Sequence, residues 1–392
     1  MDLALFFNAH LPGRSGLYCV EMRQGRPHMI FPMQEVSMTV RPVLATDLGG
    51  DWLSLGGIDL QINGALGLAF TDLTPAHLPT LKKIGRYLWQ QGLDGYLPTL
   101  VTTTADQLQA SLETLRQFTE TAPEPEQASI LGVHLEGPFL NPEKHGAHPP
   151  EHLQPLTLDA AKTLIGDYTD LVRIVTLAPE LEPSGEVIGW LRAQQIIVSS
   201  GHSTATAAQA QRAFEQGVNM VTHAFNAMPS LHHREVGLLG AALLDSSIYC
   251  GLIADGEHVS PQMIDLLLRS RRGQLSNQAH HCENLFLVSD ALAPLGLADG
   301  TYPWDQREVT VKQGTARLPD GTLAGTTRPL LDGVKSLVEW GVCDLGEAIS
   351  MATEVPRQIM GLPGLQLRQP ASLLRWHWDE ASQSLSWERL DC

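Results

Sequence analysis

Apolar positions in this chain fall into two repeating patterns, short continuous runs and longer stretches with helical spacing, and the two alternate. The short runs are Gly56–Asn63, Gly95–Thr102, Ile130–Glu136, Val172–Ala178, Ile196–His202, Met220–Asn226, Ile248–Asp255 and Leu285–Asp290. Near-continuous Val/Ile/Leu runs of this length are what parallel strands buried on both faces require. Eight of them, separated by stretches long enough for helices, predict a (β/α)₈ TIM-like barrel, whose chemistry sits at the carboxyl ends of the strands. Most of the runs end in polar residues suited to metal or acid–base chemistry.

The intervening segments carry helix signals. Thr104 with Gln107 forms a capping box, and Leu108, Leu112, Leu115 and Phe118 mark one face. Thr204–Gln216 places Ala207, Ala210 and Phe214 on one side, with Gly217 as C-cap. Met263–Leu268, Val334–Leu337 and Glu347–Met360 read as helical, the last kinked or shortened by Pro356. Glu308–Thr327 alternates around Gln313-Gly314 and turns again at Pro319–Gly321, which predicts a hairpin inserted after strand eight.

The flanks follow the strand period. Leu3, Leu5 and Phe7, then Tyr18, Val20 and Met22, alternate around a turn at Gln24–Arg26; Leu374, Trp376 and Trp378, then Leu385 and Trp387, do the same at the other end. Isolated hairpins are marginal in water. The two ends are therefore expected to join as one small β-sandwich, residues 1–55 with 361–392, beside a barrel spanning 56–360.

Composition narrows the partners. A net charge of −17 argues against nucleic acid and anionic membranes. The five cysteines are scattered with no Cys-x-x-Cys pair, which suits a reduced, cytoplasmic setting. The N-terminal Met-Asp-Leu-Ala-Leu-Phe-Phe has an acid where a signal peptide has base, and its apolar run is too short to span a membrane. His280 and His281 lie in a polar segment and read as surface.

The candidate chemistry gathers at the strand ends. Glu136 ends strand three, and a carboxylate there is either paired or bound to a metal. His202 and His223 hold equivalent positions on strands five and six. Together they supply three N/O ligands and leave a fourth position for water, the arrangement of catalytic zinc. Asp290, ending strand eight, is placed to exchange a proton across the barrel mouth; its plainer role would be a helix N-cap. Gln61 and Asn63 share a face of strand one and are poor ligands for such a metal. They either bond a ligand or satisfy backbone at the mouth. The loops after strands three, six and seven carry His145 and His148, Asn226, Ala227 and Arg234, and His258. An Arg with histidines and backbone N–H groups suits a phosphate. No nucleotide P-loop motif is present.

The ordered series Gly-Gly-Ile-Asp-Leu-Gln-Ile-Asn-Gly, His-Leu-Glu-Gly-Pro-Phe-Leu-Asn, Gly-His-Ser-Thr-Ala, Thr-His-Ala-Phe-Asn-Ala-Met, Ala-Asp-Gly-Glu-His-Val and Val-Ser-Asp-Ala resembles the N-acetylglucosamine-6-phosphate deacetylase family of the amidohydrolase superfamily, from about Leu55 to Gly361. The resemblance implies one divalent metal ion, zinc or iron, on Glu136, His202 and His223. It implies Asp290 as general base and then acid, His148 orienting or polarising the acetyl carbonyl, and Asn226, Ala227, Arg234 and His258 holding a phosphorylated amino sugar. It also implies a homodimer in which Arg234 reaches the neighbouring site. Two departures stand out. Gln61-Ile-Asn63 replaces the His-x-His of many amidohydrolases, which favours a single metal, and Ser372 stands where the final strands usually carry Asp. The expected activity is metal-dependent deacetylation of N-acetylglucosamine 6-phosphate. The rivals are a deacetylase for a related hexosamine phosphate, such as N-acetylgalactosamine 6-phosphate, a cyclic-amide hydrolase, and a non-catalytic barrel that binds sugar phosphate.

Overall fold

The computed structural model describes residues 3–35, 45–122, 124–272 and 284–390. His280, His281 and Cys282 lie outside the described residues. Eight parallel strands form the barrel in sequential order: Gly57–Ile62, Leu93–Val101, Val133–Glu136, Val172–Leu177, Ile197–Ser200, Met220–Val221, Tyr249–Leu252 and Leu285–Leu287. They are called barrel strands one to eight below. A two-residue piece, Ser129–Ile130, pairs beside strand two and is separated from strand three by a break at Gly132. Strand eight meets strand one only at its upper end: Asp290 N–H donates to Gln61 O at 2.9 Å, Asn63 N–H donates to Ala291 O at 2.7 Å, and Ile62 bridges Ala291. That closure sets Asp290 beside the amides of strand one.

Most strands stop short of the runs read from sequence, for a local reason. His202, His223 and Asp290 have φ of 49°, 28° and 46°. The backbone thus leaves the ladder at the residues that carry the chemistry, and left-handed non-glycine residues persist only where surroundings hold them.

A helix follows each strand: Leu78–Gln90, Ala105–Thr119, Leu158–Ile165, Glu186–Ala193, Ala207–Gln216, Gly237–Leu244, Pro261–Arg272 and, after the insertion, Leu330–Glu339. Thr104 caps the second by accepting from Gln107 N–H, but the reciprocal half of the capping box is not made, because Gln107 Oε1 accepts from the hydroxyls of Thr103 and Thr104 instead; Gly217 (φ 119°) terminates the fifth, as the sequence predicts. The fifth starts later than Thr204 because the capping box is Thr206 with Gln209. Glu347–Met360 is two helices, Leu345–Ala352 and Glu354–Ile359, broken at Thr353. Pro356 lacks an N–H and its ring crowds the carbonyl four residues back, so the turn preceding it opens.

The insertion after strand eight is larger than a hairpin. Gly300–Trp304, Arg307–Lys312, Thr315–Arg317 and Leu323–Thr326 form a four-stranded antiparallel sheet. Its core is Leu292, Val309, Val311, Ala316 and Leu318, together with Ala147 from the loop after strand three.

Both chain ends contribute to a β unit beside the barrel. Leu3–Ala9, Tyr18–Arg23, Arg26–Pro32 and Ala45–Asp47 form one sheet; Trp52–Leu55, Leu373–Asp379 and Ser384–Arg389 form another. Phe6, Leu11, Val20, Met22, Leu48, Leu53, Leu55 and Leu373 share one core between them. At the barrel's amino-terminal rim, Asp94 ties the C-terminal segment down. It accepts from Arg357 Nη2 at 2.7 Å and from Arg389 Nη1 at 3.1 Å, and Arg389 also donates to Ser372 Oγ at 2.7 Å. Ser372 is thus an acceptor for Arg389. No helix among the described residues is long and apolar enough to cross a membrane.

Candidate active site

At the carboxyl ends of the barrel strands lies a cavity of about 850 Å³, within the range of small-molecule sites. Its walls include Asn63, Thr102, Glu136, Lys144, His148, His202, His223, Asn226, Ala227, His258, Asp290, Trp304 and Arg307.

Three buried donor atoms converge at its floor. Glu136 Oε1 lies 3.3 Å from His202 Nε2 and 3.0 Å from His223 Nε2, and the two imidazole nitrogens are 3.0 Å apart. Metal–nitrogen distances of ~2.0–2.1 Å place tetrahedral ligands ~3.3 Å from one another, so the spacing suits one ion. The tautomer of His202 agrees. His202 Nδ1 is 2.8 Å from Lys144 O; a carbonyl only accepts, so Nδ1 carries the proton and Nε2 presents its lone pair. Burial opposes ionisation of Glu136, but its contacts with the imidazoles of His202 and His223 outweigh it and hold the carboxyl well below its ordinary range. This Glu/His/His group could hold one metal ion.

His148 borders the same spot, since ligand atoms of Glu136, His148 and His202 all lie within 4.8 Å of one another. Its own contacts separate it from the metal set. Thr102 N–H donates to His148 Nδ1 at 3.3 Å, and Thr102 Oγ1 is 2.9 Å away. A nitrogen that accepts from a backbone N–H carries no proton, so neutral His148 carries its proton on Nε2. Burial, reinforced by neighbouring His202, pushes its pKa down to about 3. His148 is therefore a neutral hydrogen-bond donor, whereas His202 offers a lone pair. Thr102, which fixes this, has no sequence signal beyond its place at the end of strand two.

Asp290 faces this group. Asn63 Nδ2 donates to its Oδ1 at 2.7 Å and Gln61 Nε2 at 3.3 Å; the same Gln61 nitrogen donates to Glu136 Oε1 at 3.0 Å. Burial, reinforced by the charge of Glu136, pushes Asp290 up to about 6. Gln61 is 2% exposed and lies beneath the cavity, joining the two carboxylates. Beneath it, His134 donates from Nδ1 to Leu60 O at 3.1 Å, and its Nε2 meets Thr176 Oγ1 at 2.8 Å. Both ring nitrogens of His134 are thus occupied away from the metal group.

A curated N-acetylglucosamine-6-phosphate deacetylase from Bos taurus is 37% identical over 324 residues, covering 81% of this chain and 76% of that protein. The chain belongs to the N-acetylglucosamine-6-phosphate deacetylase family. An N-acetylgalactosamine-6-phosphate deacetylase from Escherichia coli O157:H7 is 33% identical over 324 residues, 83% of this chain and 82% of that protein. The solved N-acetylglucosamine-6-phosphate deacetylase from Pasteurella multocida superposes with a TM-score of 0.80 at 27% identity, covering 99% of this chain and 100% of that one. An enamidase of the amidohydrolase superfamily shares the fold, with a TM-score of 0.56 at 13% identity over 95% of this chain and 86% of that one. No family model matches the chain.

The other residues singled out from the family motifs divide in two. Asn226, Ala227 and His258 line the cavity. Asn226 Nδ2 donates to the carbonyls of His223 and Ala224 at 3.2 Å, and Ala227 is left-handed at φ 49°. His258 Nδ1 is 2.7 Å from Asp255 Oδ2, which orients the ring. Arg234 stands apart: it is exposed and is not among the cavity's walls. Two cationic side chains without a place in the family motifs, Lys144 and Arg307, do line it.

Proposed function

We propose that this chain hydrolyses N-acetylglucosamine 6-phosphate to glucosamine 6-phosphate and acetate. The observation that carries the proposal is the convergence of Glu136, His202 and His223 opposite Asp290 and the Nε2–H of His148, within a chain of this family. Bound by these three side chains, a divalent ion, zinc in our reading with iron the alternative, would supply Lewis acidity that polarises a carbonyl and makes water more acidic. One ion per chain is expected, because Gln61 and Asn63 place amides where a second site would need imidazoles.

The protein's own groups account for the proton movements. Gln61 and Asn63 hold Asp290 through Oδ1, leaving Oδ2 to take a proton from the attacking water. His148 Nε2–H donates to the oxygen that becomes negative as the acetyl carbon turns tetrahedral. Asp290 then delivers its proton to the amide nitrogen as the C–N bond breaks, so the sugar leaves as an amine and the acyl group as acetate. Asn226, Ala227 and His258 hold the phosphorylated sugar in this reading. The exposed Arg234 serves the cavity of a second copy, which makes the working unit a homodimer. A cytoplasmic location belongs to the same reading, supported by the free cysteines Cys19 and Cys250.

The test is a deacetylation assay on N-acetylglucosamine 6-phosphate, N-acetylgalactosamine 6-phosphate and unphosphorylated N-acetylglucosamine, with elemental analysis and light scattering on the same sample. The glucosamine phosphate should be the best substrate, with one ion per chain and twice the chain mass. The E. coli relative named for the galactosamine phosphate favours a second reading, and a preference for that epimer would establish it. Equal rates with and without phosphate would sink both.

A further inference from the structure

The loop that carries His148 is held from the inserted sheet, and the contact matters only if His148 acts as proposed above. Within residues 144–148, three carbonyls have separate anchors. Lys144 O accepts from His202 Nδ1 at 2.8 Å, His148 O from His145 Nδ1 at 2.9 Å, and Ala147 O from Arg307 Nη2 at 2.8 Å. The first two anchors belong to the site or to the loop itself. The third comes from 160 residues away in sequence.

Arg307 is well fixed for this task. Its Nε reaches both oxygens of Asp305, at 3.0 and 3.2 Å, and its guanidinium lies 5.1 Å from the centroid of the Trp304 ring. A guanidinium oriented by a carboxylate loses little freedom on donating once more. The methyl of Ala147 is buried among Leu292, Val309, Val311, Ala316 and Leu318. The residue before His148 is thus held by the inserted sheet through both its side chain and its carbonyl. Gly146, one residue earlier, has φ +59° and lies so close to His202 that a Cβ would stand 3.3 Å from Cε1. The turn is therefore fixed between the metal group on one side and the inserted sheet on the other.

We propose that Arg307 is a positioning residue for His148. Its hydrogen bond to Ala147 O sets the height and tilt of the imidazole, so that Thr102 can hold Nδ1 while Nε2–H points into the cavity. The inserted sheet then contributes to catalysis without supplying a reacting group.

The experiment is a double-mutant cycle on the metal-loaded, full-length enzyme: wild type, Arg307→Ala, Arg307→Lys, His148→Ala, and the His148→Ala/Arg307→Ala pair. Arg307→Ala should lower kcat by about tenfold to a hundredfold, the scale of a misplacement near 1 Å, with KM changed by less than about threefold. Arg307→Lys should recover most of the loss, because an ammonium can still donate to the carbonyl. In the His148→Ala background, Arg307→Ala should cost less than about twofold, since residues acting as one unit are not additive. Multiplicative losses would overturn the proposal. So would a loss confined to KM, which marks direct substrate contact, or a loss of bound metal in Arg307→Ala. Failure of metal-loaded wild type to deacetylate any hexosamine phosphate would sink the functional reading and this proposal with it. Activity in wild type with multiplicative losses would sink this proposal alone.

Discussion

Asp59, on barrel strand one beneath Gln61, makes stability depend on pH in a direction opposite to that of most carboxylates. It is 1% exposed. Its Oδ1 accepts from Gln61 N–H and Ser289 N–H, each at 3.2 Å, while Oδ2 is buried without a partner among the described residues. Burial dominates over those bonds and pushes the carboxyl from 3.8 up to about 7. The folded state therefore keeps a proton that the unfolded chain has already lost between those values. Stability from this group is whole below about pH 4, declines as pH rises, and levels off above about pH 7. A rise from 3.8 to about 7 corresponds to ~4 kcal/mol. Asp59→Asn keeps the shape and the acceptor oxygen but cannot ionise, so it mimics the protonated acid. The variant should match wild type at pH ~3.5 and exceed it by up to ~4 kcal/mol near pH 8. Denaturant unfolding of both proteins at a series of pH values measures this, and their difference cancels every other titrating group. A difference that does not change with pH, or that turns against the variant as pH rises, would refute the reasoning.

The parts of this molecule that were legible in the sequence share one physical property: their signal is local. A parallel barrel buries each strand on both faces, so the strands announce themselves as apolar runs, and a residue just past such a run must lie near the mouth. That is why Glu136, His202, His223 and Asp290 could be brought together before any coordinates. What failed to show was either non-periodic or long-range. Gly237–Leu244 is buried almost throughout, so it has no polar face and its helical period is hidden in the apolar stretch from Val236 to Ala254. Gly300–Trp304 contains Pro303, which argues against a strand unless it lies at an edge, and it is an edge of the inserted sheet. The bond from Arg307 to Ala147 and the one from Thr102 to His148 join distant segments through a backbone atom. No side-chain pattern reports such contacts. Gln61 was placed at the mouth, but its part in bridging Glu136 and Asp290 needs the closure of strand eight on strand one.

Two further predictions separate the framework from the chemistry. Asp94→Ala would leave Arg357, 5% exposed, without its carboxylate partner, and stranding a buried charge costs ~3–5 kcal/mol; thermal unfolding should show a clear fall in Tm, and an unchanged Tm would mean that Arg357 finds enough compensation in the carbonyls of Gly56 and Thr353. Asp290→Asn tests the proton path. The amide keeps the size of the carboxylate and leaves Glu136, His202 and His223 in place, so the variant should retain one ion per chain by elemental analysis. It can neither take the proton from water nor return it to the amine. Turnover should therefore fall by ~10²–10⁴-fold, the usual contribution of a general acid–base group, with the loss in kcat rather than KM. Activity within a few-fold of wild type, with metal retained, would remove Asp290 from the proton path. Another titratable group on the cavity wall, such as Lys144 or His258, would then have to carry the proton.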